Sequence, residues 1–260
     1  MKQNSIGFIG GGRITRIILT GWKRAGMLPD EIIVSDTNEE TLQIVKNVND
    51  RIETVNNNVS KPAACDIVFL ALHPPALNDV LHELQSILKA TAIVVSLAPK
   101  ISIAKISELL GGFHTIVRTN PNAPSLVNAG YNPLVFSETM NGPQKNTVLD
   151  LFRPLGDCPE VQEELLESFA LTTAMGPTYF WFQLYELQEL ATTFGILNTT
   201  LNDAIPKMVH GTVKAMFESG LTPAEVMDLV PVKPLGDYEG MIKGLYQEKL
   251  NALYKKLKSS

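Results

Sequence analysis

The stretch Ile6-Gly7-Phe8-Ile9-Gly10-Gly11-Gly12-Arg13-Ile14-Thr15 decides how the first half of this chain folds. A short apolar run enters, three glycines follow, and a helical stretch opens. That passage predicts a βαβ unit in which Gly10 makes the tight turn and Gly12 lets a pyrophosphate approach the backbone. The helix then aims its N-terminal amides and dipole at those phosphates, with Gly11, Arg13 and Ile14 in the same loop. Thr15 stands where the strict pattern has Gly or Ala, which predicts slightly looser helix–strand packing. The glycine spacing alone is a weak signal. Its place after a strand and before a helix, with Asp36 lying 24 residues beyond Gly12, points to NAD(P) rather than to an ordinary glycine turn.

Asp36 closes the second apolar run, Ile33-Val34-Ser35-Asp36. With Ser35 beside it, a carboxylate there accepts hydrogen bonds from the adenosine ribose hydroxyls. A 2′-phosphate would instead meet a like charge, with Glu39 and Glu40 close behind and no Arg in the loop. Two unit charges ~4 Å apart at an effective dielectric near 20 repel by about 4 kcal/mol before screening. The expected cofactor is therefore NADH or NADPH, with NADH favoured. The competing role for Asp36 is to cap the helix that begins near Asn38.

Outward from this unit, β-branched runs alternate with helical stretches as far as Cys158. The runs are Ile6–Ile9, Ile32–Ser35, Ile67–Leu72, Ile93–Leu97 and Thr115–Thr119; the helical stretches include Glu39–Val48, Pro75–Leu88 and Ile103–Leu110. Nearly continuous apolar runs suit strands covered on both faces, so the pattern predicts an α/β, doubly wound Rossmann sheet over residues 1–158. From Pro159 the strands stop. Glu163–Thr173, Thr178–Phe194, Leu201–Ser219, Pro223–Val230 and Tyr238–Lys258 read as helices, giving an all-α domain over 159–260. Gly220 sits where a C-cap glycine is wanted, and Thr222-Pro223-Ala224-Glu225 is a capping-box start. The aromatic-rich segment with Met175, Phe180, Trp181, Phe182 and Tyr185 reads as bundle or dimer core ahead of a remodelled apolar pocket. A homodimer or larger homo-oligomer is expected.

Composition narrows the partners. The chain has 260 residues, 45% apolar and 19% charged, with a net charge of −5 and both signs mixed along it. No basic face is available to neutralise phosphates, so nucleic acid is not expected. No stretch reaches the ~18 apolar residues a membrane helix needs, and the first residues lead straight into a strand; a cytoplasmic protein is expected. Cys65 and Cys158 are too few for a disulfide framework or a metal knuckle, and His82, His114 and His210 lack ligand spacing, so no metal site is expected. The loop after Thr119, with Asn120, Pro121 and Asn122, lies at the carboxyl edge where open α/β sheets bind ligands.

Several segments resemble the pyrroline-5-carboxylate reductase family, nearly end to end. They are Ile6–Thr15; Ala71-Leu72-His73-Pro74; Val94-Val95-Ser96-Leu97-Ala98; Arg118-Thr119-Asn120-Pro121-Asn122-Ala123-Pro124 with Val127-Asn128-Ala129-Gly130; Ala174-Met175-Gly176-Pro177-Thr178-Tyr179; and Gly211-Thr212-Val213-Lys214 with Glu218-Ser219-Gly220. The resemblance implies a Rossmann domain followed by a helical dimerisation domain like the C-terminal domain of 6-phosphogluconate dehydrogenase. It also implies hydride transfer from NAD(P)H to a small cyclic imine carboxylate, as in proline biosynthesis. Leu72, His73, Pro74, Asn120 and Pro121 then join the cofactor contacts. Asn122, Met175, Gly176 and Pro177 become the expected substrate contacts, the substrate carboxylate resting on the helix start at Gly176-Pro177.

The departures fall in the substrate half. The family's Ser-Pro-Gly-Gly-Thr-Thr loop is replaced by Val232-Lys233-Pro234-Leu235-Gly236-Asp237-Tyr238, and Gly-Ser-Gly becomes Ala174-Met175-Gly176. A family Glu aligns with Tyr185. Asp237 and Tyr238 are the candidates to replace the lost threonine as donor to the imine nitrogen; the plainer role is to begin the last helix, with Asp237 as its cap. Open alternatives are the same fold acting on a different imine; the same fold acting on a hydroxy acid, against which alone the lack of a Lys-x-x-x-Asn counts; or a catalytically silent NAD(P)-binding redox sensor.

Overall fold

A computed structural model describes residues 4–72 and 74–258. The chain forms two compact units, Met1–Met175 with Tyr254–Ser260, and Gly176–Leu253.

The first unit runs β1 (Ile6–Ile9), α1 (Arg13–Arg24), β2 (Ile32–Asp36), α2 (Glu39–Val48), β3 (Glu53–Asn56), α3 (Ser60–Ala63), β4 (Ile67–Leu70), α4 (Pro74–Leu84), β5 (Ile93–Ser96), α5 (Ile103–Leu109), β6 (Ile116–Thr119), β7 (Gly130–Tyr131), β8 (Leu134–Phe136), α6 (Gly142–Phe152) and β9 (Gly156–Asp157). The main sheet has the order β3-β2-β1-β4-β5-β6-β8. Its strands are parallel except β8, which runs antiparallel to β6. The order reverses between β1 and β4, where loops leaving the two strands diverge and a crevice opens.

Alternation along the strands explains their unbroken apolar sequence. Ile6, Phe8, Ile67, Phe69 and Val95 point to one face, against Ile18 and Trp22 of α1, Val45 of α2 and Phe152 of α6. Ile9, Val68, Leu70 and Val94 point to the other, against Leu77 and Leu81 of α4 and Ile106 of α5. With helices on both sides, neither parity is left for polar residues. Phe8 and Phe69 stack at 4.5 Å, and the buried Trp22 indole donates to the Leu151 carbonyl at 2.6 Å.

Among the elements of this unit that escape the sequence reading are β3, β8 and α6. β3 is an edge strand whose residues are exposed or half-buried, so it shows no apolar run. β8 is only three residues long. α6 carries a complete capping box between Asn141 and Gln144, without the Ser/Thr–Glu signature that draws the eye. After β9 the single helix expected over 163–173 is instead three joined turns: a 3₁₀ turn Glu163–Leu165, a short α7 (Leu166–Phe169) and a π turn Ala170–Ala174.

The second unit consists of α8 (Pro177–Thr193), α9 (Asn198–Glu218), α10 (Pro223–Asp228) and most of α11 (Glu239–Lys258), whose last turn from Tyr254 belongs to the first unit. Gly220 follows α9 at φ +75°, and Thr222 with Glu225 forms the expected capping box of α10. Among its described residues only Ala191 and Leu201 are buried apolar side chains, while Phe182, Tyr185, Phe194, Phe217 and Val232 are all at least two-thirds exposed. No described helix is long and apolar enough to cross a membrane.

Candidate active site

The glycine loop leaves β1 beside the point where the sheet order reverses. Gly10 has φ +105°, and its amide donates to the Ser35 carbonyl at 2.8 Å. A Cβ there would lie 2.4 Å from the Ala71 carbonyl oxygen, so only glycine threads between the ends of β2 and β4. Gly12 is the N-cap of α1, and a Cβ on it would meet nothing within 4 Å, which leaves open space over the first turn. That turn contains no acid; it begins with the exposed Arg13, and Ile14 is packed against the core. A cation at a helix N-terminus opposes the macrodipole by about 0.3–1 kcal/mol, and an anion beside it reverses the sign. Open backbone, helix dipole and Arg13 together fit the diphosphate of a dinucleotide.

Thr15 corrects one expectation. Instead of loosening the helix–strand contact, it is fully buried and its hydroxyl donates to the Gly10 carbonyl at 2.6 Å. It closes the glycine turn from below. Asp36 corrects another. The cap of α2 is Asn38, whose side chain accepts from the Thr41 amide at 2.9 Å. Asp36 Oδ2 accepts from the Gly11 amide at 2.7 Å and Oδ1 from the Asn38 amide at 2.9 Å. Ser35 is buried, and its hydroxyl accepts from the Asn58 amide at 3.3 Å.

Across the crevice the Ala71 amide donates to the Ile9 carbonyl at 2.8 Å, Leu72 packs partly buried against the second core face, and Pro74 opens α4. His73 lies outside the described residues. Beyond β6, Asn120, Pro121 and Asn122 are all buried. Asn120 Nδ2 donates to the Leu166 carbonyl at 2.9 Å and Asn122 Nδ2 to the Thr173 carbonyl at 3.3 Å, while Asn122 Oδ1 accepts from the Tyr131 amide at 3.1 Å. Arg118, also buried, donates to Glu163 at 2.8 Å and to Glu167 at 2.9 Å. Alternate residues 118, 120 and 122 thus fasten the connector over 163–173 to the carboxyl edge of the sheet. Sequence reasoning places Arg118 in a motif but finds neither glutamate; the i, i+4 spacing of Glu163 and Glu167 is the signal that was available.

Met175 is half-buried, and its amide closes the π turn on the Ala170 carbonyl at 2.9 Å. In the second unit Gly176 is buried and Pro177 occupies the first position of α8. Tyr179 meets Tyr246 edge-on at 5.7 Å, and burial pushes its phenol up, so the hydroxyl stays protonated at neutral pH. Asp237 and Tyr238 lie in the 3₁₀ turn Gly236–Tyr238 that leads into α11 (Glu239–Lys258), so Tyr238 and not Asp237 directly precedes that helix. Both are exposed and form no side-chain hydrogen bond or ion pair among the described residues. Lys233, Pro234, Leu235 and Gly236 line an apolar cavity of about 1250 Å³ with Phe194 and Tyr246. Neither thiol offers a nucleophile: burial pushes Cys65 up to about 11 and also raises Cys158. Among the described residues no group of His, Cys, Asp and Glu could hold a metal ion.

Residues 5–100 match a family model described as NADP oxidoreductase, coenzyme F420-dependent. A pyrroline-5-carboxylate reductase from Corynebacterium melassecola is 30% identical over 229 residues, covering 86% of this chain and 84% of that one. The solved pyrroline-5-carboxylate reductase of Coxiella burnetii is 29% identical, with a TM-score of 0.70 over 98% of this chain and 95% of that one. The Plasmodium falciparum pyrroline carboxylate reductase, solved with NADP bound, is 20% identical with a TM-score of 0.76, over 99% of this chain and 95% of that one; it speaks for the fold.

Proposed function

The chain belongs to the pyrroline-5-carboxylate reductase family, and from that premise we infer that it reduces a small cyclic imine carboxylate with NAD(P)H, as in proline biosynthesis. The observation that carries the reading is the glycine loop at the switch point, open over Gly12 and braced by Thr15 and Asp36. The family resemblance supplies the substrate class.

When bound, the reduced nicotinamide supplies the hydride that adds to the imine carbon. The chain's own residues hold and orient the partners. Gly10, Gly11 and Gly12, with the first turn of α1 and Arg13, receive the diphosphate, and Asp36 receives the ribose hydroxyls. An imine carbon accepts hydride best when its nitrogen is protonated or hydrogen-bonded, so a donor near that nitrogen is required. We assign that role to the Tyr238 hydroxyl, with the Asp237 carboxylate as the acceptor that holds a protonated nitrogen, both side chains solvent-facing and unengaged. Asn122, Met175, Gly176 and Pro177 are assigned to the substrate, its carboxylate drawn to the N-terminal end of α8. Asn120, Pro121, Leu72, His73 and Pro74 complete the proposed cofactor contacts.

The thin apolar burial of the second unit supports a homo-oligomer in which another copy covers α8 and α9. Two free cysteines without a disulfide are in keeping with a cytoplasmic setting.

The test is NAD(P)H oxidation by the purified chain with pyrroline-5-carboxylate, with proline identified as product. Saturable turnover yielding one proline per dinucleotide oxidised is expected. Tight dinucleotide binding by calorimetry without any oxidation would overturn the reductase reading.

A further inference from the structure

We infer that Asp36 makes this chain select NADH over NADPH, as a carboxylate locked in place rather than a side chain free to swing aside. The inference rests on the dinucleotide reading above and adds the choice between the two forms. Each carboxylate oxygen of Asp36 is held by a different backbone amide: Oδ2 by Gly11 at 2.7 Å, Oδ1 by Asn38 at 2.9 Å. One anchor is the glycine loop itself and the other is the cap of the next helix, so rotating the side chain away would break both bonds. A carboxylate offers about four lone-pair sites. Two are engaged here, and the others remain to accept ribose hydroxyls.

A 2′-phosphate arriving at this place would face an anion that cannot retreat. The positive end of α2, which could otherwise offset it, already carries Glu39 and Glu40 in its first turn and has no base there. Glu39 is itself held by Asn56 Nδ2 at 2.8 Å. Lys61, in the short α3 that follows β3, is paired with Glu53. Arg13 and Arg16 belong to the opening of α1, and Arg16 Nε reaches the Gly12 carbonyl at 3.4 Å. They stand at the loop proposed above to receive the diphosphate that both dinucleotides share, so their contribution is assigned to affinity and not to the choice between the two.

The experiment is titration calorimetry of the full chain with NADH and with NADPH, no substrate present, at low and at high salt. Screened like-charge repulsion predicts that NADH binds at least about tenfold tighter, with the preference shrinking as salt rises. Asp36→Asn should bring the two affinities to within about threefold, mainly by improving NADPH binding, whereas Arg13→Gln should weaken both by the same factor. Equal wild-type affinities, a preference for NADPH, or a ratio unmoved in folded Asp36→Asn would overturn the inference and leave the dinucleotide reading standing. Failure of the wild-type chain to bind either dinucleotide would overturn both. The wild-type ratio needs no variant, so the inference stays testable if Asp36→Asn misfolds.

Discussion

Thr15 shows how one side chain can satisfy a motif by a different route. The strict pattern asks for a small residue so that helix and strand can meet; here a buried hydroxyl instead supplies a hydrogen bond to the Gly10 carbonyl. Thr15→Val keeps the volume and leaves that carbonyl without its donor, so urea unfolding should show a loss of about 1–3 kcal/mol. Dinucleotide affinity should fall several-fold with it, because the turn is no longer held from beneath. An unchanged midpoint would mean that water replaces the hydroxyl and that the turn is held by Gly10 alone. The glycines and Asp36 were legible in the sequence because their spacing is fixed by the dinucleotide they serve. The partners of Thr15 and Asp36 were not, since both bond to backbone whose path only the folded loop defines.

At the scale of elements, strands buried on both faces announced themselves, while β3 at the sheet edge and the connector over 163–173 did not. The connector was legible as helix, but its breaking into α, 3₁₀ and π turns follows from ties to Arg118, Asn120 and Asn122, which are remote in sequence. A comparable long-range tie joins the entries of β1 and β4. Asp66 accepts from the Ser5 amide at 3.0 Å, the Ser5 hydroxyl at 2.9 Å and Lys89 at 2.7 Å. Lys89 first, and the Ser5 amide after it, hold the Asp66 carboxyl down at about 2, against an ordinary 3.8. A carboxyl that ionises more readily folded than unfolded adds stability above its ordinary pKa, and that stability is lost as pH falls from about 4 towards 2. With the side chain one-third exposed, the contribution is about 0.5–1 kcal/mol after solvent screening. Acid titration of unfolding should show that increment in the wild type and lack it in Asp66→Asn; parallel acid profiles would contradict the assignment.

For the whole molecule, the two halves follow different physics. The first unit buries its own core on both sides of the sheet, whereas the second leaves most of its large apolar side chains exposed on a single copy. The proposed occupant of this surface is a second copy of the chain. Light scattering after size exclusion should give a mass at least twice that of one chain, with Phe217→Glu or Phe182→Glu reducing it; a strict monomer for the wild type would remove the proposed assembly. The order of an α/β half before a helical half was legible from the change of rhythm near Pro159, although the compact units divide between Met175 and Gly176; the family was legible from motifs spread along the chain. The group proposed to serve the substrate nitrogen was not, because the Lys233–Tyr238 loop departs from the family motif and offers both Asp237 and Tyr238. The central claim is a reductase, and its most direct measurement uses dinucleotide carrying deuterium at the transferred nicotinamide C4 position, with pyrroline-5-carboxylate as acceptor. Proline bearing one deuterium on the former imine carbon is the predicted product; proline without deuterium, or no proline at all, would contradict the account.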